Sequence, residues 1–280
     1  MLASLLITFR EALEAALIVG IIAAYLAKVD RKDLSKHLYL GAGGAVLASL
    51  LLGWTFMAIY GGLSGQAEEL FEGLAALTAA GVLTYMIFWM GRNARKIKEE
   101  LQRRIEISIS QGQRFGIAAL AFFAVLREGV ETVLFLGALA LRDPAGTILG
   151  FAIGLAAVIA LALLTFKGIY RLNIRRFFKY SSVLLLIFAA GLVAYGVHEL
   201  NETGMIPPVI EHLWDINPPQ NSDGSYPLLH ENGAIGSLLK SLLGYNGNPS
   251  LSEVLAYLAY WLAVGAYLLS VYRPSRRTGP

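Results

Sequence analysis

Two copies of the pattern Arg-Glu-x-x-Glu stand in this sequence: Arg10, Glu11 and Glu14, then Arg127, Glu128 and Glu131. Each copy lies inside an apolar stretch long enough to be a membrane helix. A charged side chain at the centre of a bilayer costs roughly 2.5–3.5 kcal/mol. Left unpaired, all the motif charges would together cost on the order of 15 kcal/mol, which rivals the whole net stability of a protein. They must therefore face the bundle interior and compensate one another. On a helix, residues i and i+3 lie about 60° apart around the axis and about 4.5 Å apart along it, so both glutamates of a motif can reach one point. The arginine sits four residues before the second glutamate and can pair with it inside its own helix. One negative charge per motif is then left over, on Glu11 and on Glu128. Two such motifs facing each other make an oxygen-rich cluster short of positive charge, which a multivalent hard cation would complete. Buried ion pairs that only lock helix packing leave Glu11 and Glu128 unexplained. A proton relay through the same glutamates is the functional alternative.

The rest of the chain must position these side chains in a membrane. Of 280 residues, 56% are apolar and 15% charged, with a mean hydropathy of +0.58. A soluble domain carries about 25% charged residues, so a soluble enzyme, a disordered scaffold and a nucleic-acid binder are excluded. The chain has no cysteine, which removes disulfides, thiolate metal sites and cysteine nucleophiles. Apolar runs at roughly 2–27, 38–62, 69–91, 114–140, 145–166, 178–200 and 251–272 predict an all-α integral membrane protein with seven transmembrane helices. Lys and Arg are segregated: 19 of the 23 lie in alternate connections, at 28–37, 92–114, 167–179 and 273–280. By the positive-inside rule the N-terminus is outside and the C-terminus cytoplasmic, in a multi-pass protein of the cell membrane. Span 1 has no basic leader and is read as retained.

Spans 1–3 and 4–6 resemble each other. A shift of 117 residues lays Arg10, Glu11, Glu14, Leu17, Gly20 and Ala23 on Arg127, Glu128, Glu131, Leu134, Gly137 and Ala140. A shift of 110 lays Ala79-Ala80-Gly81 and Tyr85 on Ala189-Ala190-Gly191 and Tyr195, and Leu40-Gly41 and Leu149-Gly150 begin spans 2 and 5 alike. The expected organisation is one membrane domain: a three-helix repeat at 1–92, a second at 114–200, an extracytoplasmic loop at 201–250 and an added helix at 251–272. Because three is odd, the second copy is inverted, as in many secondary transporters with a site near the midplane between the repeats.

A second set of acids lies on the outer side. Glu69 and Glu72 open span 3, and His198, Glu199 and Glu202 close span 6. With the acids of the loop they form a negative outer mouth that would concentrate cations. The loop holds six of the nine prolines, and its stretch 234–243 has the apolar spacing of a short interfacial helix. It is expected to cap that mouth. The basic segment 92–114 is expected to be a solvated cytoplasmic helix or loop. No phosphate-binding glycine loop, His-Glu-x-x-His or intramembrane nucleophile is found.

At the residues of the doubled motif the chain resembles the oxidase-dependent iron permease family, the fungal high-affinity iron permeases and their bacterial relatives. The resemblance rests on Arg10-Glu11-Ala12-Leu13-Glu14 and Arg127-Glu128-Gly129-Val130-Glu131. It continues through Glu69-Leu70-Phe71-Glu72-Gly73, Gly196-Val197-His198-Glu199-Leu200 and Gly244-Tyr245, and covers essentially the whole chain. It implies import of iron, expected as the ferric ion. The motif glutamates would be iron ligands, Arg10 and Arg127 would balance their charge, and an extracytoplasmic partner would oxidise or deliver the ion. Iron is then a transported substrate, no resident cofactor is expected, and the partners are iron and lipid, not nucleic acid. Composition and spacing alone reach only a multivalent cation, so another metal such as lead, or a proton-coupled carrier, stays open.

Overall fold

A computed structural model of the chain describes residues 1–110, 114–166, 173–221 and 223–272. The described residues form helices and connections, without a strand. The helices are α1 (Leu2–Lys28), α2 (Ser35–Tyr60), α3 (Gln66–Ser110), α4 (Arg114–Arg142), α5 (Pro144–Phe166), α6 (Ile174–Glu202), α7 (Ala234–Leu243) and α8 (Leu251–Tyr272). A single 3-10 turn, Lys32–Leu34, leads into α2. Each of the seven apolar runs folds as one long helix, because nearly uninterrupted Leu, Ala, Ile, Val and Phe satisfy helix propensity and lipid together.

Five helices are long and apolar enough to cross a membrane among the described residues: those over Lys32–Tyr60, Gln66–Asn93, Pro144–Thr165, Arg176–Glu202 and Leu251–Ser270. Helices α1 and α4, with 27 and 29 residues, have the length but carry the motif charges. The basic segment after span 3 takes the helical one of its two expected forms. Helix α3 does not stop near residue 92 but runs for 45 residues into the basic segment. Between Arg92 and Ser110 there is neither glycine nor proline, and Arg, Lys, Glu and Gln are good helix formers, so nothing ends the helix there.

Helix α2 packs along α4, α5 along α1, and α3 along α6, while α1 and α4 meet at the centre. Close approach is made by small residues. A Cβ on Gly41 of α2 would collide with the Ala118 carbonyl of α4, and one on Gly150 of α5 would collide with Ser4 and the Met1 carbonyl of α1. Two apolar clusters fill the interior. One joins Ala3 and Ile7 of α1 to Leu83 of α3, Phe135 of α4, Leu192 of α6 and Val264 of α8. The other joins Ile22 and Leu26 of α1 to Leu38 of α2, Ile105 of α3 and Ile117 of α4. On both α1 and α4 the Arg-Glu-x-x-Glu motif falls between the two clusters, so the charges form a layer sealed by hydrocarbon along the helices.

The described residues between α6 and α8 are tied together by backbone hydrogen bonds. Residues 210–216 run against 247–251 through backbone bonds from Leu213 to Pro249, Ile216 to Gly247 and Leu251 to Ile210, each 2.9–3.0 Å. The expected short helix is α7, which packs on α6. Helix α8 opens with a capping box: Ser250 Oγ accepts from the Glu253 amide at 3.2 Å, and the Ser250 amide donates to Glu253 at 3.1 Å.

Candidate metal centre

The layer between the clusters brings three of the four motif glutamates together. Glu11, Glu128 and Glu131 each offer a carboxylate oxygen, and these oxygens lie within 4.8 Å of one another. Glu11 and Glu128 are buried, at 1% and 2% exposure. Both oxygens of Glu11 and one each of Glu128 and Glu131 are buried without a hydrogen-bond partner. Buried polar groups are normally satisfied, so a carboxylate orphaned in a dry bundle is suited to take up a proton or a cation.

Glu14 is in the same layer but is held by Arg10, whose Nε donates to it at 3.0 Å in a fully buried pair. That is the expected i, i+4 pairing. The second motif departs from it. Arg127 curls back on its neighbour, donating to Glu128 Oε1 from Nη2 at 2.7 Å and from Nε at 3.1 Å. Its approach to Glu131, the expected partner, is looser at 3.5 Å. The less neutralised acid of the second motif is therefore Glu131, not Glu128. The guanidinium of Arg127 lies 5.3 Å from the Trp89 ring centre on α3, within reach of a cation–π contact.

The outer acids are placed in two groups. His198, Glu199 and Glu202 line a cavity of about 910 Å³ roofed by the 201–250 segment, together with Arg142, Asp143, Glu211, Glu231 and Glu253. Glu69 and Glu72 lie outside that lining. Glu72 is tied in beside it, accepting from Tyr60 at 2.7 Å and from the Tyr195 hydroxyl, while Tyr195 itself lines the cavity. Tyr60 also donates to Glu68 at 3.0 Å, so the tyrosine bridges Glu68 and Glu72 rather than Glu69 and Glu72. Sequence reasoning counted Glu68 and Glu253 among the outer acids without singling them out, and gave Tyr195 and Arg142 no role at the site. Arg142 stacks 4.1 Å from the Tyr195 ring centre, and Glu253 accepts from Asn246 at 2.8 Å and meets His198 Nδ1 at 3.1 Å. Only their position at helix ends on the acidic side could have flagged them.

On α4 and α1 a second cavity of about 550 Å³, mostly apolar, opens between α2 and α5 and has Glu11 and Glu128 in its lining. A family model described as the iron permease FTR1 family matches residues 1–273. The chain belongs to that family. Ferrous iron permease EfeU of Escherichia coli O6:H1 is 35% identical over 269 residues, covering 94% of each chain. EfeU of Yersinia pestis is 33% identical over 276 residues, covering 98% of this chain and 94% of that one. A protein of Archaeoglobus fulgidus is 38% identical over 268 residues, covering 94% of this chain and 93% of its own. No solved structure matches the chain. Family and apolar helices together make this a multi-pass membrane permease.

Proposed function

We propose that this permease imports iron across the cell membrane through a site built by the glutamates of its two Arg-Glu-x-x-Glu motifs. The observation that carries the reading is the convergence of Glu11, Glu128 and Glu131 within 4.8 Å, with oxygens left unpartnered in a buried layer. Glu14 is the fourth ligand, its carboxylate passing from Arg10 to the arriving ion. The donor set is all oxygen, which suits a hard ion, and on that ground the ferric state is proposed. The EfeU relatives carry the name ferrous iron permease, so a partner that oxidises or hands over the ion outside belongs to the proposal.

Seven spans are proposed by adding α1 and α4, with their facing charges, to the five apolar helices, and an external N-terminus on the segregation of Lys and Arg. An inverted repeat is supported by the packing. Position 118 is position 1 shifted by 117, so the contacts of Gly41 with Ala118 and of Gly150 with Met1 are one contact made twice. The pairings α2 on α4 and α5 on α1 are related in the same way. Ions would collect in the cavity lined by His198, Glu199 and Glu202, with Glu69 and Glu72 at its edge, and pass inward to the motif layer as the two halves rock. Ile7, Leu83 and Phe135, all fully buried in the apolar cluster on one side of the motifs, would have to give way for the ion to pass.

Radioactive iron uptake into proteoliposomes holding this chain alone tests the reading. Oxidised and ascorbate-reduced iron are compared, with lead and other divalent ions as competitors and an imposed pH gradient as a separate variable. Saturable iron uptake abolished by Glu128→Gln supports it. Uptake indifferent to iron but driven by pH would replace it with a proton-coupled carrier.

A further inference from the structure

Both motif arginines lean on the same short stretch of α3. The Arg10 Nη2 group lies 2.6 Å from the Met86 sulfur and 3.2 Å from the Met90 sulfur. The Arg127 guanidinium lies over Trp89. Met86, Trp89 and Met90 thus span little more than one turn and present two thioethers and one indole face to the two guanidiniums, with no carboxylate among them. Arg10 Nη1 is buried with no partner at all, so its carboxylate pairing is already incomplete.

An ion that binds the motif glutamates takes oxygens the arginines now use, notably Glu128 Oε1. Neither arginine can give up its proton; the Arg127 side chain is 43% exposed, but Arg10 is 1% exposed, and a guanidinium left bare in a dry bundle is costly. It needs another neutralising surface within reach of its side chain. Thioether sulfur is a weak acceptor and a polarisable contact for a cation, and indole is the best of the aromatic faces. Neither competes with carboxylate oxygen for a hard metal ion.

We propose that Met86, Trp89 and Met90 form a seat on α3 that keeps Arg10 and Arg127 in place while the glutamates pass to the metal. This rests on the reading of the glutamate layer as a cation site. The three are positioning residues: they act on transport through the arginines and do not ligate the ion. At the repeat shift of 110 the corresponding residues of α6 are Gly196, Glu199 and Leu200, so only one half of the molecule supplies a seat, and it serves both motifs.

The test uses the full chain in proteoliposomes. Met86→Leu/Met90→Leu keeps volume and apolarity but removes sulfur, and Trp89→Leu removes the π face. Each is expected to lower the saturating rate of iron uptake about tenfold, the size of one cation–π contact, while the half-saturating concentration stays within about twofold. Trp89→Phe, which keeps a ring, is expected to retain most of the rate. Trp54→Phe/Trp214→Phe/Trp261→Phe leaves Trp89 as the sole tryptophan, excited at the red edge where tyrosine does not absorb, and gallium(III) citrate serves as a redox-inert ferric stand-in. Gallium is expected to shift the Trp89 emission, and Arg127→Leu to abolish the shift. This readout decides the matter should the methionine variant fail to accumulate. Wild-type uptake by the leucine variants, or a silent Trp89 while gallium raises the melting temperature, would overturn the seat alone. No gallium effect on melting in the parent chain would overturn the cation site beneath it, and the seat with it.

Discussion

Glu11 on α1 and Glu128 on α4 face each other across the central helix contact, each with an oxygen within 4.8 Å of the other and of Glu131. They are not equivalent in charge balance. Glu128 takes two hydrogen bonds from Arg127, whereas Glu11 takes none. An uncompensated buried carboxylate weakens a fold, so a charge on Glu11 adds nothing to stability here.

That asymmetry separates the glutamates by mutation. Glu11→Gln removes a potential buried charge without breaking an ion pair, so the melting temperature should stay the same or rise while iron uptake is lost. Glu14→Gln breaks the buried pair with Arg10 and should cost about 3–5 kcal/mol, by comparison with other buried pairs. Thermal melts in detergent beside uptake assays read both effects. A destabilised Glu11→Gln would contradict the assignment.

Gly129, between the glutamates of the second motif, lets α2 approach α4. A Cβ there would overlap the Ser49 side chain, with the Ser49 Cβ only 2.6 Å away. Gly129→Ala should therefore destabilise the chain by about 1–3 kcal/mol, as overpacking does, and reduce uptake. Adding Ser49→Gly should restore both, because it removes the atoms in the way. Melts of the single and double variants check this, and equal stability in the two would show that the contact does not matter.

Glu199 and Glu202 line the outer cavity without belonging to the motif layer. Their proposed work is to raise the local cation concentration, an effect that salt screens. Replacing both by Gln should raise the half-saturating iron concentration several-fold at low ionic strength and leave the saturating rate unchanged. The difference should shrink at high salt. A fall in saturating rate instead would move these acids into the transport step.

The outer segment has an acid limb of its own. Burial alone would raise the Glu231 carboxyl, but Lys240 at 3.3 Å and nearby hydrogen bonds hold it below the ordinary 4.5. A carboxyl with a depressed folded value stabilises above its unfolded value and loses that contribution as pH falls through the folded one. Protease cleavage within 203–250 should therefore increase as pH drops below 4.5, and Glu231→Gln should be as susceptible at neutral pH as the parent is in acid. Limited proteolysis with an acid-active protease such as pepsin, extended to neutral pH with a second enzyme, reads this out. A flat profile for the parent would contradict it.

What the sequence makes legible is what local pattern controls. The apolar runs give the long helices because in lipid the backbone has no other way to satisfy its hydrogen bonds. Charges at i, i+3 and i+4 inside those runs give the motif layer, and Arg10 with Glu14 pairs as that spacing requires. What stays hidden depends on neighbours far away in sequence. Arg127 pairs more closely with Glu128 than with Glu131, with Trp89 of α3 beneath it. Tyr60 selects Glu68 and Glu72, one helical turn apart, over Glu69. The helix of α3 passes residue 92 because nothing local stops it, whereas the span estimate ends where hydropathy falls.

The central claim is that Glu11, Glu128 and Glu131, with Glu14, ligate the transported ion. X-ray absorption at the iron edge on iron-loaded chain in nanodiscs tests it most directly, with Glu11→Gln and Glu128→Gln measured beside it. The account predicts bound iron with a first shell of oxygen alone, lost in both variants. Iron held by sulfur or nitrogen, or bound unchanged in the two variants, would contradict it.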